Sequence, residues 1–150
     1  EDKRLIFDGT NSSNLNFVAQ KFNRKPSELK FSIINGNENV VEQLKKYPDK
    51  IGVISYNTIS RPFGEEAEKL RNEVKILKIK QGSKTYEPSL SNLKVMTYPF
   101  TRILYFLTNE GYYGLGNGFI RFSCTQLGQI VVEKEGLQPY NLYKREVQMR

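Results

Sequence analysis

The feature that most restricts how this chain can fold is the order of apolar patterns between residues 5 and 56: strand, helix, strand, helix, strand. Leu5-Ile6-Phe7 is a short apolar run ended by Asp8 and Gly9, and Leu15, Val18, Ala19 and Phe22 then recur at the spacing of one helix face. Residues 30–34 follow as a strand with Asn35-Gly36 as its turn. A second helix begins near Asn37, carries Val40, Val41, Leu44 and Tyr47 on one face, and stops at Pro48. Ile51-Gly52-Val53-Ile54-Ser55-Tyr56 is continuous in the way of a strand buried on both faces of a parallel sheet. Right-handed crossovers then give an α/β layered unit whose strand ends face a crevice.

The first junction into a helix carries the chemistry. Thr10, Asn11, Ser12 and Ser13 lie where a strand gives way to a helix, and the first backbone N–H groups of a helix have no intrahelical partners. With the helix dipole they hold an oxyanion without any lysine. The same residue types are also ordinary helix caps, and most caps hold no ligand.

Composition excludes several classes. There is no histidine and a single cysteine, Cys124, so no Ser-His-Asp or Cys-His arrangement, disulfide framework or cysteine-rich zinc site can be built. Neither a metal nor a cofactor is expected. Cys124 falls in the apolar stretch 118–124 and is expected to be buried and inert. The carboxylates Glu65, Glu66 and Glu68 sit in a charged run with Ala67, Leu70 and Val74 as its apolar side, the pattern of a solvated helix rather than an acid/base pair. No enzymatic activity is expected. The net charge is +7, but basic and acidic residues are interspersed. The nearest thing to a basic stripe, Lys75, Lys78, Lys80 and Lys84, resembles the solvent side of an edge strand. Nucleic acid is not an expected partner. No apolar run approaches the length of a membrane span. Opening almost directly in a strand is the expectation for a processed or truncated polypeptide.

Beyond residue 64 the pattern predicts a charged helix, a strand at 74–80, a connection at 81–93 with a short strand at 84–87, and extended runs at 95–97 and 103–107 around Pro99. Glycines 111, 114, 116 and 118 form an entry to a helix with Leu115, Phe119 and Phe122 on its apolar face. A final helix spans Gln126 to Lys134, closed by Gly136 and Pro139, and a short strand is expected at 146–149.

Several of these pieces fall into one order. Asn11-Ser12-Ser13, the run 51–56, Tyr98-Pro99-Phe100-Thr101-Arg102 and the stretch from Thr125 to Pro139 together resemble the phosphate-binding proteins of ABC transporters, closest to the shorter form of Bacteroides-type bacteria. The resemblance runs through essentially the whole chain. It implies a type II periplasmic-binding-protein-like fold: a three-layer helix/sheet/helix lobe with hinge strands and C-terminal helices. Residues 1–95 would be the second lobe, and residues 96–150 the hinge return and the C-terminal part of the first lobe, so the N-terminal half of the protein would be missing.

The resemblance also implies the ligand, phosphate or another oxyanion, and puts Asn11, Ser12 and Ser13 among its holders; the helix start adds the Thr10 hydroxyl, and Arg102 from the hinge is the candidate to compensate for an arginine missing from the motif. Asn11, Ser12 and Ser13 fall on the family's Ser-Gly-Thr positions, and Phe7 stands where the family has an arginine. The implied partners are a transporter permease and the missing half. The implied location is the periplasm, or the periplasmic side of a membrane through a lipid anchor. An isolated chain would have exposed strands and is expected to form a homodimer or swap elements to cover them. The alternative function is a sensory or protein-interaction module on the same fold.

Overall fold

The structure is a computed structural model that describes residues 4–10 and 12–141. The chain divides into two compact units, Glu1–Leu77 and Lys78–Arg150.

The first unit is built on a parallel sheet of β1 (Leu5–Phe7), β2 (Phe31–Ile33) and β3 (Ile51–Val53), in the order β2-β1-β3. Helices α1 (Ser13–Lys21) and α2 (Asn37–Lys46) make the two crossovers. Because β2 and β3 lie on opposite sides of β1, two right-handed crossovers place α1 and α2 on opposite faces. The side chains agree. Phe7, Leu15 and Val18 form one buried cluster with Leu5, Phe31 and Val53 packed against it. On the other face, a Cβ at Gly52 would come within 2.7 Å of Val40 Cγ1 and 2.9 Å of Leu44 Cδ1. Gly52 is therefore what lets α2 approach β3. Beyond α2, helices α3 (Asn57–Ser60) and α4 (Glu65–Glu73) pack Ile59 and Leu70 against Val41. Lys45 ties α2 to α4 through an ion pair with Glu73 at 2.7 Å. The charged run 65–73 is the solvated helix the sequence predicts, with Ala67 and Leu70 buried.

Three expectations for this unit change. Residues 54–56 leave the sheet, and β3 is an outer strand with Ile51 40% exposed rather than buried on both faces, because β1 holds the centre. Phe22 and Tyr47 do not join the helix faces. Each is the residue that ends its helix, and they are 61% and 52% exposed.

The second unit contains the hairpin β4 (Ile79–Gln81) and β5 (Lys84–Tyr86), then α5 (Leu90–Lys94), α6 (Leu115–Ser123) and α7 (Gln126–Lys134). The strand expected at 74–80 is confined to its last residues, where the hairpin supplies a partner. Lys78, just before it, pairs with Glu87 at 2.9 Å. Residues 95–97 are not a strand: Ser89 caps α5 by accepting from the Asn92 N–H, and Val95 and Met96 complete that helix's end. Residues 103–107 have no ladder partner among the described residues. The final helix keeps the predicted bounds, with Thr125 accepting from the Gly128 N–H and Gly136 at φ 76° beyond its end. Cys124 is exposed, contrary to expectation: it is the C-cap of α6, and the buried residue there is Ser123. Leu115, Phe119 and Phe122 are also exposed, at 93%, 58% and 48%. The strand expected at 146–149 lies outside the described residues. Among the described residues no helix is long and apolar enough to cross a membrane.

The glycine-rich entry to α6 is occupied by the chain's own carboxylate. Glu110 accepts from the N–H groups of Asn117 at 2.9 Å and Gly116 at 3.1 Å, and a Cβ at Gly114 would fall 2.8 Å from its Oε1. The Asn117 N–H first, and the Gly116 N–H after it, hold the Glu110 carboxyl below the usual carboxylate range. A lowered folded-state pKa means that this clasp contributes above the unfolded pKa and is lost as pH falls through the folded one. In a pH titration followed by NMR, the amide signals of Gly116 and Asn117 are expected to hold steady through the ordinary glutamate range and to move only at lower pH. In Glu110→Gln that acid step should be absent. A transition at the ordinary glutamate pH would contradict the clasp.

Candidate functional site

The loops at the carboxyl ends of β1 and β3 meet beside the start of α1. In a parallel sheet ordered 2-1-3 this is where successive crossovers leave in opposite directions and open a crevice. Ser12 is the N-cap of α1. Its Oγ accepts from the N–H groups of Asn14 at 3.0 Å and Leu15 at 3.4 Å, and the hydroxyl donates to Asp8 Oδ1. Asn14, 8% exposed, donates from Nδ2 to Asp8 Oδ2 at 3.1 Å and to Ser55 Oγ at 3.2 Å. The Ser55 N–H donates to Asn37 Oδ1 at 3.2 Å. One polar network thus joins the loop after β1, the first turn of α1, the loop after β3 and the start of α2.

The expected site residues are placed differently from one another. Thr10 is exposed in the turn before the helix, and Ser13 is exposed as its first residue. Ser12 is half-buried, with its hydroxyl engaged as cap and donor. Asn11 lies outside the described residues. Arg102 is half-buried and belongs to the other compact unit. Phe7 is fully buried against Leu15 and Val18, its ring edge-on to Phe31 at 5.6 Å. The position the resemblance gives to an arginine is therefore core here.

Sequence reasoning passed over Asp8, Asn14, Ser55 and Asn37. Asn14 could have been noticed: it adjoins Leu15 and precedes Val18 by four residues, so it sits on the buried stripe, where an amide needs partners. Asn37 was expected to cap α2. Gly36 holds that position, and Asn37 reaches across to Ser55 instead.

Chemically, this is a polar cluster in which hydroxyls and a helix N-terminus lie beside one carboxylate, Asp8. A parallel sheet with helices on both faces and a polar site at the ends of its strands defines the class of α/β binding domains. More particularly, residues 1–126 match the family described as PBP superfamily domain. The chain belongs to that family, and its fold is periplasmic-binding-protein-like. No curated protein and no solved structure matches the chain. Membership supports a solute-binding function in general terms.

Proposed function

We propose that this protein is the solute-binding component of an ABC importer, located in the periplasm or anchored on the periplasmic side of a membrane, and that it takes phosphate or a related oxyanion. In this reading residues 1–95 act as one lobe, and residues 96–150 return across a hinge toward the other. The observation that carries it is the pair of exposed hydroxyls, Thr10 and Ser13, at the N-terminus of α1 beside the switch point of the sheet. Ser12 contributes by holding the turn, and Asn11 and Arg102 complete the proposed set.

Asp8 refines the ligand. A fully deprotonated oxyanion would be repelled by its carboxylate, whereas a hydrogen phosphate can donate to one of its remaining lone pairs. Phosphate should therefore bind more tightly than sulfate. Calorimetric titration tests this. Phosphate should give saturable heat, sulfate less, and Ser13→Ala should weaken phosphate binding about tenfold, the scale of one hydrogen bond to a charged group. No heat at millimolar phosphate would remove the phosphate assignment, and unchanged affinity in Ser13→Ala would remove the loop.

One observation favours a second reading, a sensory or protein-interaction module. Asp8 already satisfies the Ser12 hydroxyl and the Asn14 amide, so the loop is complete without a solute. A permease encoded beside this protein supports import; a signalling domain fused to it supports sensing.

A further inference from the structure

The face of the sheet under α2 is covered unevenly. Ser32, Ile6 and Gly52 form one row across β2, β1 and β3, since Ile6 pairs with both of the others, and residues paired in this way share a face. Val40 and Leu44 of α2 come down onto Gly52, where there is no side chain to keep them off. Drawn to that side, α2 leaves the Ser32 end of the row without a lid, and a cleft of about 340 Å³ opens there. Ile6 and Ile34 give it an apolar floor. Gln43 and Tyr47, one turn apart at the end of α2, line it together with Ser32 and Lys50.

A sheet face that is simply packed would put apolar side chains here. The cleft instead gathers four polar ones with bonding capacity to spare. Ser32 and Gln43 are half-buried, and among the described residues their side chains and the Tyr47 hydroxyl have no hydrogen-bond partner. The side chain of Lys50 is only 22% exposed, yet its carboxylate partner, Asp49, lies 3.8 Å away and is 68% exposed. That is a loose pairing for a cation withdrawn from water.

We propose that this cleft binds a small organic anion, a single carboxylate carried on an apolar body about the size of one ring. Lys50 draws the carboxylate, and the Tyr47 hydroxyl is its second donor. The body lies on Ile6 and Ile34, within reach of Ser32 and Gln43 for one polar substituent. One ammonium, already loosely balanced by Asp49, favours a single negative charge over two. None of the lining residues belongs to the loop proposed for phosphate, so the two sites stand or fall separately.

Amide NMR with phenylacetate tests this. Titration should move the signals of Ser32, Gln43, Tyr47 and Lys50 saturably, leave residues 9–14 unmoved, and be indifferent to added phosphate. Phenylacetamide, which has the same body and no charge, should bind roughly tenfold more weakly, the scale of one hydrogen bond between charged groups. Lys50→Gln should erase that difference, and Ser32→Leu, which fills the cleft, should abolish binding of both compounds. If Ser32→Leu fails to fold, Lys50→Gln still decides. No saturable shift at these residues, equal binding of acid and amide, full binding in Ser32→Leu, or shifts spread over the exposed apolar residues of α6 would each overturn the proposal.

Discussion

Phe7→Ala is expected to remove about 3–5 kcal/mol from the stability of the first unit, the range for emptying a buried aromatic site. Phe7 is 0% exposed at the centre of the sheet, between β2 and β3, and fills the space under Leu15 and Val18. The strands are three residues long, so little backbone pairing remains to hold them if that contact is lost. Since a whole domain is stable by only about 5–15 kcal/mol, urea unfolding should show a unit barely folded or unfolded in buffer. Phe7→Arg is the sharper variant. It restores the residue that the phosphate-binding resemblance puts at this position, but in this fold it would bury a guanidinium among Leu15, Val18, Phe31 and Val53. It should not fold. A folded Phe7→Arg protein with tighter phosphate binding would mean that the side chain at position 7 reaches the crevice rather than the core.

The second large effect is expected at Gly128, in the first turn of α7. A Cβ there would lie 2.3 Å from the carbonyl oxygen of Phe122 and 2.6 Å from Ser123 Cα. These are backbone atoms, so no rotamer change relieves the clash. The turn is also pinned, with Gln129 donating to the Ser123 carbonyl at 2.7 Å and accepting from the Tyr140 N–H at 2.8 Å. Gly128→Ala should therefore cost about 3 kcal/mol, the upper end for overpacking, and loosen the joint between α6 and α7. Gly118→Ala is the contrast. Nothing lies within 4 Å of its Cβ position, and in mid-helix alanine should add roughly 0.5–1 kcal/mol. Thermal unfolding of the two variants side by side checks the difference. Equal melting temperatures would show that α7 can shift freely on α6.

What was legible in the sequence followed from local rules. The alternation across residues 5–56 and the charged helix at 65–73 could be read because apolar period and cap residues act within a few positions. The last helix was legible in its bounds, Gln126–Lys134, with Gly136 and Pro139 marking where it stops. The runs at 95–97 and 103–107 misled because an apolar stretch becomes a strand only when a partner offers a ladder. The first was claimed instead by the helix that Ser89 caps, and the second meets no partner among the described residues. At the site, Thr10, Ser12 and Ser13 stood out as small polar residues before a helix. The network that gives their loop its character, Asp8 to Asn14 to Ser55 to Asn37, spans positions far apart in the chain. No local pattern reports it.

That network also bears on the ligand. In the proposed reading, Asp8 beside the loop after β1 would make the protonation state of a bound oxyanion matter. The central claim is that a solute binds at this loop, and amide NMR of the protein titrated with phosphate tests it most directly. The account predicts saturable shifts confined to residues 9–14 and the Ser55 amide, with smaller shifts from sulfate. Shifts elsewhere with these amides unmoved, or none at millimolar phosphate, would contradict it.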